Sequence, residues 1–137
     1  MELDRELLKR IQAIFSEFTP QKLTRNPCIV EAEQVVRMIK EKQPFVILDI
    51  RTPLEQEFIA PRLKDTLYIP MHELFKEENL EKLPKDRTII VLCHTDRRAT
   101  AVVIALRLLG FGNTFVLKDG IKGLAERIGK DIYRELL

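Results

Sequence analysis

Short apolar runs separated by segments of helical periodicity constrain this fold more than any other feature. The runs are too short and too rich in β-branched residues for helices, and their continuous apolar character is typical of strands buried on both faces. We predict strands at Cys28–Val30, Phe45–Ile50, Leu67–Ile69, Thr88–Leu92 and Thr114–Leu117. Because parallel strands need crossover connections, the pattern predicts a three-layer α/β fold with a mostly parallel central sheet of about five strands and helices on both faces.

The helices between these runs are predicted from apolar spacing and from end signals. Glu2–Phe18 and Glu31–Lys42 both read as amphipathic helices. Thr52 and Glu55 form a capping box that starts a short helix through Ile59. The remaining helices are expected at Met71–Leu83, at Arg98–Leu109, and at Ile121–Leu137.

The chain length of 137 residues suits one compact domain with its own core. We assign residues 1–27 to an N-terminal amphipathic helix with its connector, and residues 28–137 to the main domain. The apolar face of the N-terminal helix must pack on another surface. We expect it to cover the sheet of its own chain, with a homodimer through this helix as the alternative.

Charge and composition limit the kinds of partner. The 23 basic and 21 acidic residues are interspersed and leave a net charge of +2, which does not indicate nucleic-acid binding. No segment approaches the roughly 18 to 20 apolar residues of a membrane span, and Met1–Arg10 mixes charged groups with leucines. We therefore expect a cytoplasmic protein that binds neither nucleic acid nor membrane. The cysteines and histidines lack zinc-site spacing, so we expect no metal and no cofactor.

The main candidate for chemistry is Cys93, at the end of the fourth predicted strand. Ligands of parallel sheets bind at this edge, where loops enter helices, and Asp49–Thr52 lies on the same edge. Free N–H groups at the helix start would stabilise a thiolate or a bound anion, and His94, Arg97 and Arg98 add positive charge. The alternative is that Cys93 is a small buried apolar side chain. Adjacent arginines at a strand end favour a reactive cysteine, because burying charge is costly unless an anion is bound.

Several motifs of the chain resemble those of the rhodanese-like family, in the same order, from about Ile29 to Leu124. The matching segments are Leu48–Glu55 with L-D-V-R-x-x-x-E, Leu67–Pro70 with A-x-N-I-P, Cys93–Arg98 with C-x-x-x-x-R, Leu106–Phe111 with L-x-x-x-G-F, and Val116–Gly120 with V-L-x-G-G. The resemblance implies a rhodanese-type sulfurtransferase. In that family a cysteine takes a sulfane sulfur from thiosulfate, polysulfide or a protein persulfide, and passes it to a thiol or to cyanide.

The resemblance also implies roles for individual residues. Cys93 matches the cysteine that becomes a persulfide, and the loop behind it would hold the anionic donor. The expected donor-binding residues are His94, Thr95, Asp96, Arg97 and Arg98. Asp49 and Arg51 match a supporting pair beside the loop, although an ordinary strand-end salt bridge is an equally good interpretation.

Departures from the family pattern keep a second function open. Asp96 replaces the glycine in the middle of the loop, and Ala99 replaces the serine or threonine after the arginine. Aspartate tolerates a left-handed turn, so we expect the loop to keep its shape. The alternative function is a catalytically weak or inactive binding or regulatory module. A phosphatase or arsenate reductase is disfavoured, because those related loops have one more residue between cysteine and arginine.

Overall fold

The centre of the molecule is a five-stranded sheet in which every pair of neighbours is parallel. The computed structural model describes residues 1–24 and 27–135. Its strands are β1 (Ile29–Val30), β2 (Phe45–Asp49), β3 (Leu67–Tyr68), β4 (Thr88–Leu92) and β5 (Thr114–Leu117), in the order β1-β5-β4-β2-β3. The predicted parallel α/β sheet is therefore confirmed.

Helices cover both faces of this sheet. They are α1 (Arg5–Phe15), α2 (Ala32–Lys40), α3 (Pro53–Phe58), α4 (Glu77–Leu80), α5 (Arg97–Leu108) and α6 (Gly120–Glu135), with a 3₁₀ turn at Lys22–Thr24. Buried side chains of α5 pack in one apolar cluster with the sheet, and those of α2 and α6 pack in a second cluster. Because side chains alternate along a strand, Val46 and Leu48 enter the first cluster while Ile47 enters the second. Strands β2, β4 and β5 are mostly apolar because both of their faces are buried.

The segment after β3 differs from its prediction. We expected a helix over Met71–Leu83, but only α4 is helical and the preceding residues form turns. The side chain of Asn79 donates a hydrogen bond to the carbonyl oxygen of Glu73 at 2.8 Å. An asparagine that binds a backbone carbonyl in this way competes with helical hydrogen bonding. The irregular segment still buries the side chains of Leu74 and Leu83, although it does not form a continuous helix.

The N-terminal helix α1 packs against α5 of its own chain. Its start is set by Asp4, whose side chain accepts a hydrogen bond from the N–H of Leu7 at 3.0 Å. Arg10 donates to the carbonyl oxygen of Leu108 at 3.3 Å. None of the residues of α1 is fully buried, and Phe15 is 54% exposed. A homodimer through this helix stays a prediction.

Helix length also bears on membrane association. A spanning helix needs about 20 apolar residues. Across the described ranges, no helix combines the length and the apolar composition that crossing a membrane requires.

Candidate active site

Cys93 lies directly after β4 and ahead of the first turn of α5. It is 1% exposed and belongs to the apolar cluster between the sheet and α5. The backbone N–H of Ala99, in the first turn of α5, donates to its Sγ atom at 3.4 Å. The sulfur therefore sits at the N-terminal end of α5, which is the positive end of the helix dipole.

The loop from 94 to 98 keeps its backbone N–H groups free. Within residues 1–24 and 27–135, none of these five N–H groups donates to a protein acceptor. The carbonyl oxygens on the other side of the loop are occupied. Those of Cys93 and His94 accept from the N–H groups of Ile121 and Lys122 at 2.9 and 3.4 Å. The start of α6 thus binds the loop through its carbonyls, and the amides remain available for an anion.

Gly120 lies beneath this loop with a positive φ of 54°. A Cβ atom at this position would lie 2.3, 2.6 and 2.4 Å from the carbonyl oxygens of Cys93, His94 and Thr95. Only glycine allows so close an approach of the backbone. The preceding residue, Asp119, also has a positive φ, at 62°. The loop therefore rests on a turn that needs glycine for steric reasons.

Arg98 is held by a carboxylate from another part of the chain. Its two Nη atoms donate to the two carboxylate oxygens of Glu55 at 3.0 and 2.8 Å. Glu55 is also the third residue of the α3 capping box, in which the N–H and hydroxyl of Thr52 each donate to it at 3.1 Å. The hydrogen bonds from Arg98 are the main cause that lowers the pKa of Glu55, to about 2. The same pair raises the pKa of Arg98.

We expect the ion pair of Glu55 and Arg98 to make the stability of the protein depend on pH in the acidic range. Since the pKa of Glu55 falls from its ordinary 4.5 to about 2 on folding, its contribution is complete above the unfolded value and is lost as the pH falls towards 2. In urea unfolding near neutral pH, the wild type should have a larger free energy of unfolding than Glu55→Gln. This difference should shrink as the pH falls from about 4.5 to 2.

Glu57→Gln is the matched control for this experiment. Glu57 lies on the same helix, is exposed, and forms no ion pair in the described part of the chain. The variant changes the net charge by the same amount without touching Arg98. If the difference in free energy of unfolding between the wild type and Glu55→Gln stays constant across this pH range, the assignment of the low pKa to Glu55 is contradicted.

Asp49 and Arg51 form a buried ion pair at the end of β2. They are 0% and 1% exposed, and Arg51 donates to the two carboxylate oxygens of Asp49 at 3.0 and 2.9 Å. Arg51 also donates to the carbonyl oxygens of Ile59 and Glu55, at 2.6 and 3.5 Å. Arg51 thereby binds the middle and the C-terminal end of α3, the helix that presents Glu55 to Arg98. In the described residues it makes no hydrogen bond to the cysteine loop itself.

The remaining loop side chains face outward. His94, Thr95 and Arg97 are exposed, and Asp96 is partly exposed. Asp96 is the N-cap residue of α5 with φ at −158° and ψ at −8°, so the left-handed conformation that aspartate tolerates is not used here. Its carbonyl oxygen accepts from the N–H and the hydroxyl of Thr100, at 2.9 and 2.8 Å. Because this φ is negative, the position does not need the left-handed region that favours glycine.

The second cysteine lies two strands away from Cys93. Cys28 precedes the edge strand β1, and the register of Ile29 with Val116 and of Val116 with Val91 places it about three residues before the level of Cys93. Neither thiol is in a disulfide, and burial raises the pKa of Cys28. Cys28 is therefore too far away to act on a sulfur bound at Cys93.

Comparison with known proteins decides the family. Residues 31–127 match the model of the rhodanese-like domain. This chain belongs to the rhodanese-like family. The match covers β2 to β5, the cysteine loop and the first half of α6, and it leaves α1 and β1 outside.

The relatives of this rhodanese-like chain include named sulfurtransferases. A sulfurtransferase of Allochromatium vinosum is 26% identical over 92 residues, which are 67% of this chain and 82% of that protein. The probable adenylyltransferase/sulfurtransferase MoeZ of Mycobacterium tuberculosis is 29% identical over 88 residues, or 64% of this chain and 22% of that much longer protein. These relatives support membership in a family of rhodanese-type enzymes.

Solved structures show the same fold. A rhodanese-related protein from Thermoplasma volcanium superposes with a TM-score of 0.62 at 27% identity, covering 73% of this chain and 92% of that one. The single-domain sulfurtransferase of Saccharomyces cerevisiae superposes with a TM-score of 0.54 at 21% identity, covering 80% of this chain and 97% of that one. The rhodanese-like fold of this chain is therefore shared along almost the full length of both structures.

The structure adds two residues to the site that sequence reasoning missed. The sequence assigned Glu55 only to a helix cap, although it is the last residue of the Leu48–Glu55 motif. Gly120 closes the Val116–Gly120 motif, and its contact with the loop carbonyls has no local signature. Both lay in segments that matched the rhodanese-like pattern, and that match was the only signal for them.

Proposed function

We propose that this chain is a sulfurtransferase that carries the transferred sulfur as a persulfide on Cys93. The observation that supports it most is the position of Sγ, which accepts the N–H of Ala99 at 3.4 Å below a loop whose amides have no acceptor in the described part of the chain. Such donors stabilise the attacking thiolate and then the anionic persulfide that replaces it.

The proposed reaction has two displacement steps. The Cys93 thiolate attacks the outer sulfur of thiosulfate, the S–S bond of the donor breaks, and sulfite leaves with the bonding electrons. An acceptor, either cyanide or a thiolate, then attacks the terminal sulfur of the Cys93 persulfide. The product is thiocyanate or a new persulfide, and the Cys93 thiolate is restored. Each step exchanges one nucleophile for another, so no external oxidant is needed.

The proposed donors are small sulfane-sulfur anions, such as thiosulfate and polysulfide, or a protein that carries a persulfide. The free amides of 94–98 would bind either kind of donor at its charged end, and the guanidinium of Arg98, which is paired with Glu55, would add a weaker attraction. A cytoplasmic location accords with the absence of a disulfide between Cys28 and Cys93.

A second candidate is a binding or regulatory module with little turnover. Cys93 is only 1% exposed, and the carboxylate of Glu55 already occupies the guanidinium of Arg98. The carboxylate of Asp96 adds a further negative charge to the loop. A module of this kind would bind an anion or form an adduct without passing the sulfur on.

The test of the proposed function is an intact-mass measurement. The purified protein is incubated with thiosulfate or polysulfide, weighed, and then treated with cyanide. We expect a gain of one sulfur atom that disappears as thiocyanate forms. Cys28→Ser should behave like the wild type, since Cys28 lies two strands away from Cys93.

Two results would overturn parts of this proposal. An adduct that persists in Cys93→Ser, or no adduct with any donor, would refute the Cys93 persulfide. An adduct on Cys93 that cyanide and thiols fail to remove would instead favour the regulatory module.

A further inference from the structure

We propose that Glu55, acting through Arg98, makes this site select sulfur donors of low negative charge over the dianion thiosulfate. The inference deepens the proposed function, because it names the class of donor that the Cys93 site accepts. The preferred donor presents a single negative charge at the transferred sulfur, as a thiosulfonate or a hydropersulfide does. Glu55 is a positioning residue here, since it contacts Arg98 and not the sulfur.

The first support is the geometry of the ion pair. Both Nη atoms of Arg98 donate to Glu55, so two N–H groups that could bind an anion already have an acceptor. The carboxylate lies 2.8 Å from the guanidinium, and it offsets the positive charge that the C-x-x-x-x-R loop would otherwise direct at a donor. Because the pKa of Glu55 is about 2, this carboxylate stays ionised at any pH suitable for assay.

The second support is the balance of charge around the loop. Beside the Glu55–Arg98 pair, Asp96 and Arg97 are adjacent and of opposite sign. The start of α6 donates hydrogen bonds to the loop carbonyls. There, Asp119 and Lys122 are exposed and again of opposite charge. The ion pair of Asp49 and Arg51 is internally neutral as well.

The attraction for an anion therefore comes mainly from the uncharged amides of 94–98. Amides at a helix start present a partial positive charge of only about one half, so they leave most of the second charge of a dianion without compensation. A dianion would bring a second negative charge near the carboxylates of Glu55 and Asp96 and near the Cys93 thiolate. Of these three negative groups, Glu55 can be neutralised by the variant Glu55→Gln while Arg98 is kept.

The experiment compares two donors that transfer the same kind of sulfur. Thiosulfate is a dianion, and methanethiosulfonate, CH₃SO₂S⁻, is a monoanion. With methanethiosulfonate the Cys93 thiolate attacks the outer sulfur, the S–S bond breaks, and methanesulfinate leaves with the electron pair. The quantity measured is kcat/KM for each donor with cyanide as acceptor, in the wild type, Glu55→Gln and Glu57→Gln.

We expect the ratio of kcat/KM for thiosulfate to that for methanethiosulfonate to rise about tenfold in Glu55→Gln. Glutamine preserves the capping box, so α3 should keep its start. Glu57→Gln removes the same charge from the same helix and should leave the ratio unchanged. The rise in this ratio should also diminish with added salt, because the side chains of Glu55 and Arg98 are partly exposed.

The outcomes separate this inference from the proposed function. If Glu55→Gln lowers both rates in equal proportion, Glu55 only supports the structure and the inference fails. An unchanged ratio with normal rates refutes it as well. If neither donor places a sulfur on Cys93 in the wild type, the proposed function itself fails.

Discussion

Gly120→Ala is expected to lower sulfur transfer about 100-fold and to destabilise the fold by about 1–3 kcal/mol. The φ of 54° is unfavourable for alanine, and the added Cβ would lie 2.3 to 2.6 Å from three loop carbonyl oxygens. The loop must therefore move away from α6, which breaks the hydrogen bonds from Ile121 and Lys122 to its carbonyls. A shift of about 1 Å at the amides of 94–98 would misplace the donor relative to Sγ.

Donor-dependent kinetics and urea unfolding would measure the two effects of this variant. Gly112→Ala is the control, because no atom of residues 1–24 or 27–135 lies within 4 Å of its Cβ position and its φ is not positive. That variant should keep the activity and the stability of the wild type. Full sulfur transfer by Gly120→Ala would show that the close contact beneath the loop does not determine the shape of the site.

Arg51→Met is expected to cost about 3–5 kcal/mol of folding free energy. Asp49 is 0% exposed and accepts two hydrogen bonds from the Arg51 side chain, so the variant leaves a carboxylate buried without its countercharge. It also removes the hydrogen bond to the carbonyl oxygen of Ile59, which anchors the end of α3. We expect activity to fall too, because α3 carries Glu55 and thereby positions Arg98.

Urea unfolding of two further variants would identify the cause of this loss. The double variant Asp49→Asn with Arg51→Met should recover part of the stability, since it removes the unpaired charge. Arg87→Met breaks an exposed pair with Asp65 and should cost less than about 1 kcal/mol. A cost for Arg51→Met as small as that for Arg87→Met would contradict the importance of the buried pair.

Local pattern was sufficient for much of the fold. The runs at β4 and β5 were predicted at Thr88–Leu92 and Thr114–Leu117, with the bounds that the structure shows. Their continuous apolar character follows from burial on both faces, which is a property that each run carries alone. The segment at 71–83 was predicted less well, because the Asn79 side chain binds a backbone carbonyl that a helix would have used.

The sequence by itself determined the parallel α/β class, the strand that delivers Cys93, and the short distance from Cys93 to Arg98. Each of these depends on residues close together in the chain. The strand order β1-β5-β4-β2-β3 was decided by the tertiary structure alone. That order brings Glu55 to Arg98 across 43 residues of sequence.

The same is true of Gly120, which reaches the loop carbonyls only because β5 lies beside β4. The physical reason is that periodicity and end signals encode local geometry, whereas a carboxylate or a glycine finds its partner only after the sheet has assembled. The cysteine of this site could therefore be predicted from the chain. The charge and the shape of its surroundings were decided by long-range packing.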